Sequence, residues 1–156
     1  MSRVVACDVP QDSLLARYGT PRDYRDCFYR DEPSGGPSDA PSDLPAFIER
    51  FYRSAAFWPE RALLHIVTRK ASSADARALA RGEAESFGVW ELVERKENEM
   101  LLASKGTGTA SWFAIEPIET GTRLYFGSWV GNLDQSGWKA LQGAHVWYSK
   151  RLLSAV

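Results

Sequence analysis

The sequence predicts an α+β domain in which a curved antiparallel β-sheet is covered by a long C-terminal helix. Residues 137–154, wound at about 3.6 residues per turn, place one apolar stripe on a helix face, formed by Trp138, Leu141, His145, Tyr148 and Leu152. Residues 88–130 instead alternate with a period of two, which is typical of strands joined by short turns. Because the stripe and one face of the sheet both need an apolar partner, the helix is predicted to lie across the sheet.

The N-terminal part of the chain is predicted to contain two strands and a short helix. Residues 3–9 predict a short strand, and residues 14–18 predict a helix of one to two turns. Residues 23–30 alternate and predict a second strand, one side of which carries Tyr24, Asp26 and Phe28. Residues 32–42 contain three prolines and two glycines. We therefore expect a flexible surface loop there.

Short helices are predicted between this loop and the sheet. The first begins at Asp43, tolerates Pro45 in its first turn and has a wide apolar face, formed by Phe47, Ile48, Phe51, Tyr52 and Ala55. A second helix is predicted over residues 60–69. A third follows a capping box at residues 72–75 and ends near Gly82.

Four strands are predicted in the second half of the chain, and they form an antiparallel meander. Residues 88–95 pair with 100–105 across a charged turn, and residues 109–117 pair with 122–130. Gly121, in the second of these turns, can adopt a positive φ. The short helices would close the open end of the resulting sheet.

Length, charge and cysteine content exclude several classes of protein. The 156 residues fit a single domain, residues 1–156. The net charge is −1 and no dense basic stretch occurs, so nucleic acid is not an expected partner. The N-terminus has no hydrophobic run long enough for a signal peptide or a membrane span. Cys7 and Cys27 form no disulfide framework, and a cytoplasmic protein with reduced thiols is expected.

Several short sequence motifs resemble those of an uncharacterised bacterial branch of the SRPBCC superfamily, which includes the START-like and birch-pollen-allergen-like proteins. They are RDCF at 25–28, SFGVW at 86–90, TRLYFGS at 122–128 and HVWYSKRLL at 145–153. The resemblance implies the helix-grip fold, in which a curved sheet grips the C-terminal helix around a deep hydrophobic cavity. Members of the superfamily bind lipids, sterols, polyketides or plant hormones, and some are cyclases or dehydratases. Against that fold, residues 1–20 are an N-terminal extension, and the predicted meander has fewer strands.

Five residues are predicted to line a cavity between the sheet and the last helix: Trp90, Trp112, Phe126, His145 and Tyr148. The three strand aromatics lie on the more apolar strand faces, which are expected to point toward the helix. Trp112 and Phe126 are expected to form the walls opposite His145. Tyr148 follows His145 by three residues and so neighbours it on the helix. For each aromatic the alternative is ordinary core packing.

His145 is the residue best suited to chemistry. An imidazole that faces a cavity orients a ligand or transfers a proton near neutral pH. The alternative is a core histidine that hydrogen-bonds a backbone carbonyl. Cys27 would be a nucleophile only if His145 reached it, and a small buried strand residue is the alternative. Two histidines and two isolated cysteines lack metal-ligand spacing, so neither metal nor cofactor is expected.

The sequence supports three hypotheses of different classes. The first is a protein that binds a small hydrophobic or amphipathic molecule between the sheet and the last helix. The second is an enzyme of the cyclase or dehydratase kind that uses His145 and Tyr148. The third is a protein-interaction module. Its surface would include Trp147, which is predicted to be exposed and to contact a loop or the second subunit of a homodimer.

Overall fold

A computed structural model of the chain describes residues 3–36, 40–54, 73–104, 106–131 and 138–156. The strands in these ranges are β1 Val5–Ala6, β2 Tyr24–Pro33, β3 Ser86–Phe87, β4 Trp90–Arg95, β5 Glu99–Ser104, β6 Thr109–Ile118 and β7 Gly121–Val130. The helices in these ranges are α1 Leu14–Arg17, α2 Leu44–Arg53, α3 Ser73–Ala80 and α4 Trp138–Ser154.

The strands form one open, seven-stranded antiparallel sheet in the order β1-β2-β7-β6-β5-β4-β3. Strands β4 to β7 are the predicted meander. Strand β2 then pairs with β7 along ten residues, from Tyr24 opposite Val130 to Pro33 opposite Gly121. Strand β2 therefore lies beside β7, the last strand of the meander. The predicted α+β class, the antiparallel sheet and the C-terminal helix are confirmed.

The predicted loop at residues 32–42 begins later than expected. Glu32 and Pro33 belong to β2, and Glu32 is buried. Proline is tolerated here because Pro33 is the last residue of the strand, and β1 pairs with β2 only as far as Tyr29. Residues 34–36 and 40–42 are outside helices and strands. Residues 37–39 of the predicted loop lie outside the described ranges.

Both faces of the sheet are covered. Helices α2, α3 and α4 pack on one side, here called the inner face, which carries Phe28, Met100, Leu102, Phe113, Leu124 and Phe126. Helix α1 packs on the other side, the outer face, together with Cys27, Leu101, Ala110, Trp112 and Ala114. Alternate residues of β2, β5, β6 and β7 thus belong to two separate apolar clusters.

Helix α2 starts where the sequence predicts. The Asp43 side chain caps it by accepting a hydrogen bond of 2.8 Å from the Ala46 backbone N–H, and proline occupies the first turn. Its buried side consists of Leu44, Phe47, Ile48, Phe51 and Tyr52. Ala55, the predicted helix at 60–69 and the capping serine of the third helix lie outside the described residues.

Helix α4 is rotated slightly from its predicted phase. Leu152 is buried and Tyr148 is half-buried, as expected, but Ser149 and Leu153 are buried as well. The last turn inserts both leucines into the inner core, so the buried stripe is wider there than a single row of residues. Trp147 is 67% exposed, which confirms its predicted exposure. Its contact with a second subunit stays a prediction.

Candidate functional site

A partly buried polar arrangement on the inner face is centred on Asp26. Its Oδ2 accepts a hydrogen bond of 3.0 Å from the Tyr24 hydroxyl and lies 3.3 Å from His145 Nε2. Its Oδ1 accepts a hydrogen bond of 3.1 Å from the Ser128 backbone N–H. These four residues are here called the Asp26 cluster. One carboxylate therefore joins β2, β7 and α4.

The period of β2 and the position of α4 explain why these groups meet. Tyr24, Asp26 and Phe28 alternate onto the inner face, and α4 crosses that side of the strand. Farther along β2, Arg30 Nη1 donates hydrogen bonds to the backbone oxygens of Ser154 at 3.1 Å and Val156 at 2.9 Å. A cation at that end also complements the helix dipole. Helix α4 is thus attached to β2 near both ends of their contact.

Solvent still reaches part of this cluster. The Asp26 side chain is 9% exposed, whereas the His145 side chain is 23% exposed. The rings of Tyr24 and His145 meet edge-on with centroids 6.4 Å apart. Burial, reinforced by the Asp26 charge, raises the pKa of Tyr24 to about 12. Tyr24 is therefore a hydrogen-bond donor near neutral pH, and the carboxylate of Asp26 lies beside the imidazole of His145.

The strand register places further polar side chains on the inner face, beside the Asp26 cluster. The strand pairing aligns one row of inner-face residues, Tyr24, Val130, Thr109, Ser104 and Trp90. The adjacent row begins with Asp26, Ser128 and Ser111 and continues with the apolar Leu102 and Leu92. We call these two rows the polar end of the inner face. Most of the rest of the face consists of buried aromatic and aliphatic side chains, and an ion pair between Arg30 and Glu32 lies farther along β2. An apolar core therefore adjoins a band of hydroxyl and carboxylate groups.

Two buried polar atoms at the polar end of the inner face form no hydrogen bond within the described residues. They are Trp90 Nε1 and Ser104 Oγ. The two residues are direct partners across β4 and β5. Buried donors are almost always hydrogen-bonded in native proteins.

Four of the five predicted site residues lie on or against the inner core. Phe126 belongs to it, Trp90 and Tyr148 pack against it, and His145 joins the Asp26 cluster. Neither Asp26 nor Ser104 was predicted to belong to the site. The signals that could have found them are the alternation of residues 23–30 and the register between adjacent strands.

The prediction for Trp112 was wrong about its side of the sheet. Trp112 is on the outer face, packed among Leu14, Leu15 and Cys27, and so is not a wall opposite His145. Its neighbour Phe113 faces the inner core instead. The error arose because both faces of β6 are apolar, and the apolar alternation alone does not identify the face that the C-terminal helix covers.

Trp112 and Glu99 instead hold the N-terminal segment on the outer face. Glu99 Oε2 accepts hydrogen bonds of 2.8 Å from the Leu14 backbone N–H and from Trp112 Nε1. Burial acts to raise the pKa of Glu99, but these donors and Lys96 outweigh it, so the pKa is lowered. Gly127 permits close packing, because a Cβ there would overlap the Leu15 side chain.

Cys27 also lies on the outer face, with its sulfur 3.3 Å from that of Cys7. Both cysteines are free thiols, and burial raises the pKa of each. His145 is on the opposite face of the sheet. The arrangement that would make Cys27 a nucleophile is therefore not formed, and the alternative of a small buried strand residue describes its position.

Two surface clefts are lined by residues of the described ranges. One of about 420 Å³ is lined by Ala46, Glu49, Arg50, Arg53, Ser54 and Ala155. Another of about 350 Å³ is lined by Arg3, Val5, Tyr29, Asp31, Pro33 and Thr120. None of the five predicted site residues lines either cleft.

Comparisons of this chain with protein-family models, with curated proteins and with solved structures find no match. Within the described ranges, no three His, Cys, Asp or Glu side chains are grouped so as to hold a metal ion. None of the helices in those ranges has the length and apolarity needed to cross a bilayer.

Proposed function

We propose that the chain adopts the helix-grip fold and binds a small hydrophobic or amphipathic molecule between the inner face and α4. The observation that carries this proposal is the division of the inner face into an apolar surface and a polar end. The apolar part of a ligand would contact Phe28 and Phe126, and its polar group would contact the Asp26 cluster. Removing apolar surface from water contributes about 25 cal/mol per Å².

The sheet order supports the same proposal. The N-terminal strand β2 pairs with the last strand β7, and the C-terminal helix lies over both. The sequence motifs that resemble the SRPBCC superfamily fall on the elements around the site. RDCF lies in β2, SFGVW spans β3 and the start of β4, TRLYFGS lies in β7 and HVWYSKRLL lies in α4. We therefore propose membership of that superfamily.

Leucine methyl groups on the two faces provide a test. Leu102 and Leu124 report on the inner face, whereas Leu15 and Leu101 report on the outer face of the same sheet. A titration with 1-decanol, followed by methyl NMR, should shift the inner signals and leave the outer signals in place. Shifts confined to the outer methyl groups, or none at all, would contradict the proposal.

A matched pair of variants makes the test local. Phe126→Trp enlarges a buried inner side chain and should abolish the decanol response. Tyr125→Trp makes the same kind of change at the next residue, which faces the outer cluster, and should preserve that response. An unaltered response in folded Phe126→Trp protein would show that the ligand lies elsewhere.

An enzyme of the cyclase or dehydratase kind is the second candidate. The observation that favours it is the distance of 3.3 Å between Asp26 Oδ2 and His145 Nε2, since a carboxylate beside an imidazole stabilises its protonated form during proton transfer. Tyr148 stays the predicted helix-face neighbour of His145, and the tyrosine that donates a hydrogen bond to Asp26 is Tyr24. Conversion of a co-purified ligand by wild-type protein, lost in His145→Gln with binding retained, would support this candidate. An unchanged ligand would exclude it.

A further inference from the structure

Trp90 and Ser104 form a pair of buried donors that the Asp26 cluster does not use. They face each other across β4 and β5 on the inner face. Ser104 is 3% exposed. Neither the indole nitrogen nor the hydroxyl oxygen is hydrogen-bonded within the described residues. By strand spacing and rise, Ser104 lies about 16 Å from Asp26, three strands away and two residues along. The pair is therefore a second polar point on the same face.

The energy of an unpaired polar group argues for an additional partner. A buried donor without an acceptor costs about 1–3 kcal/mol. Here two such groups occupy paired positions, whose Cβ atoms are separated by about 4.5–5.5 Å in an antiparallel sheet. An indole N–H can only donate, while a serine hydroxyl donates or accepts. One oxygen atom with two lone pairs would satisfy both.

We propose that Trp90 Nε1 and Ser104 Oγ donate hydrogen bonds to a carbonyl oxygen of the bound molecule. This inference rests on the binding site proposed above and adds the chemical class of its ligand, a neutral apolar molecule with a ketone, aldehyde, ester or amide group. The pairing row from Tyr24 to Trp90 contains no charged side chain. Leu92 and Leu102, in the next row, surround the pair with apolar surface. A neutral oxygen fits that setting better than a carboxylate.

Two probes of similar shape separate the carbonyl from the hydrocarbon. Acetophenone and ethylbenzene differ only in that a C=O group replaces a CH₂ group. Acetophenone should bind roughly thirtyfold more tightly, the factor expected for two net hydrogen bonds of about 1 kcal/mol each. It should also move the Trp90 indole N–H resonance downfield, whereas ethylbenzene should not produce that hydrogen-bond shift.

Variants assign the effect to the two side chains. Trp90→Phe and Ser104→Ala should each reduce the preference for acetophenone to about fivefold, the factor for one remaining hydrogen bond, and leave the affinity for ethylbenzene nearly unchanged. Trp147→Phe, at an exposed position on α4, should preserve the preference. The indole resonance of the wild-type protein provides a readout that does not depend on how well a variant folds.

The outcomes distinguish this inference from the function on which it rests. Equal affinities for the two probes, no binding of acetophenone, an unmoved Trp90 resonance or a water molecule held by both atoms in the acetophenone complex would overturn the carbonyl contact. If Phe126→Trp abolishes binding of both probes while Trp90→Phe changes neither, only the carbonyl contact is wrong. If Phe126→Trp leaves both affinities unchanged, the proposed binding site itself is wrong.

Discussion

Asp26 links three elements through one side chain, so a single substitution there tests the cluster at the scale of the residue. In Asp26→Asn the amide keeps one acceptor oxygen, but its NH₂ group is a donor. It would meet the Tyr24 hydroxyl or the Ser128 backbone N–H, which are donors as well. We expect the free energy of unfolding to fall by about 1–3 kcal/mol, measured by urea denaturation.

The matched control for Asp26→Asn is Asp31→Asn on the outer face. Asp31 pairs with Arg123 at 2.6 Å, but its side chain is 41% exposed. Solvent screening should limit the loss there to less than about 1 kcal/mol. Equal losses at the two positions would contradict the view that Asp26 is an organising buried group.

The raised pKa of Tyr24 makes a prediction for alkaline pH. Burial and Asp26 raise this pKa to about 12, and Tyr125 is raised to about 12 by burial and Glu116. A tyrosine in the unfolded chain ionises near pH 10. The stabilisation of the neutral phenols is therefore complete below about pH 10 and is lost as the pH rises toward about 12.

Denaturation measured across that alkaline range should show a steep loss of stability in wild-type protein. Tyr24→Phe should make the decline shallower, because one of the two raised phenols is removed. The decline in stability that remains comes from Tyr125. It should be shallower still in the variant that carries both Tyr24→Phe and Tyr125→Phe. An alkaline decline that Tyr24→Phe leaves unchanged would show that Tyr24 is not desolvated in solution.

The two thiols on the outer face make a prediction about oxidation. The sulfurs of Cys7 and Cys27 are 3.3 Å apart, and burial raises both pKa values. Hydrogen peroxide should convert the two thiols into one disulfide and yield two water molecules. Because the thiolate is the reactive form, the reaction should be slow near neutral pH and faster at alkaline pH.

Intact mass spectrometry should record the loss of two hydrogen atoms from the wild-type protein and no such loss from Cys7→Ser. Independent oxidation of the two sulfurs to oxygenated acids, without a disulfide, would contradict the observed proximity.

At the scale of the element, the N-terminal segment depends on Trp112. Trp112→Phe removes the hydrogen bond to Glu99 while keeping an aromatic ring on the outer face. We expect the free energy of unfolding to decrease by about 1 kcal/mol. The Leu14 amide, which donates to the same carboxylate, should exchange its hydrogen faster. Binding of a ligand on the inner face should persist. Loss of that binding without faster exchange of the Leu14 amide would indicate that Trp112 belongs to the binding site after all.

Periodicity predicted the elements well because each has a clear local signal. The period of two identified β2 and the meander, and the capping aspartate and first-turn proline located α2. Two features depended on tertiary structure instead. Strand β2 continues through Glu32 and Pro33 because β7 is long enough to pair with them. The rotation of α4 follows from the inner core, which takes up both Leu152 and Leu153.

At the scale of the whole molecule, the sheet has two apolar faces, and that explains what the sequence could not reveal about the site. His145 could be found from a helical stripe, but Asp26 becomes its partner only when β2 lies beside β7 and beneath α4. Likewise, Trp90 and Ser104 become a pair only through the register of β4 and β5. Trp112 was assigned to the wrong side because α1 covers the outer face through contacts between residues far apart in the sequence. Local periodicity does not reveal such contacts.

The central claim is that a small hydrophobic or amphipathic molecule occupies the space between the inner face and α4. Native mass spectrometry of the protein purified from its own host tests this claim most directly. We predict a discrete adduct on wild-type protein and on Tyr125→Trp, and no adduct on folded Phe126→Trp. Wild-type protein without any adduct, or an adduct that Phe126→Trp retains, would contradict the claim.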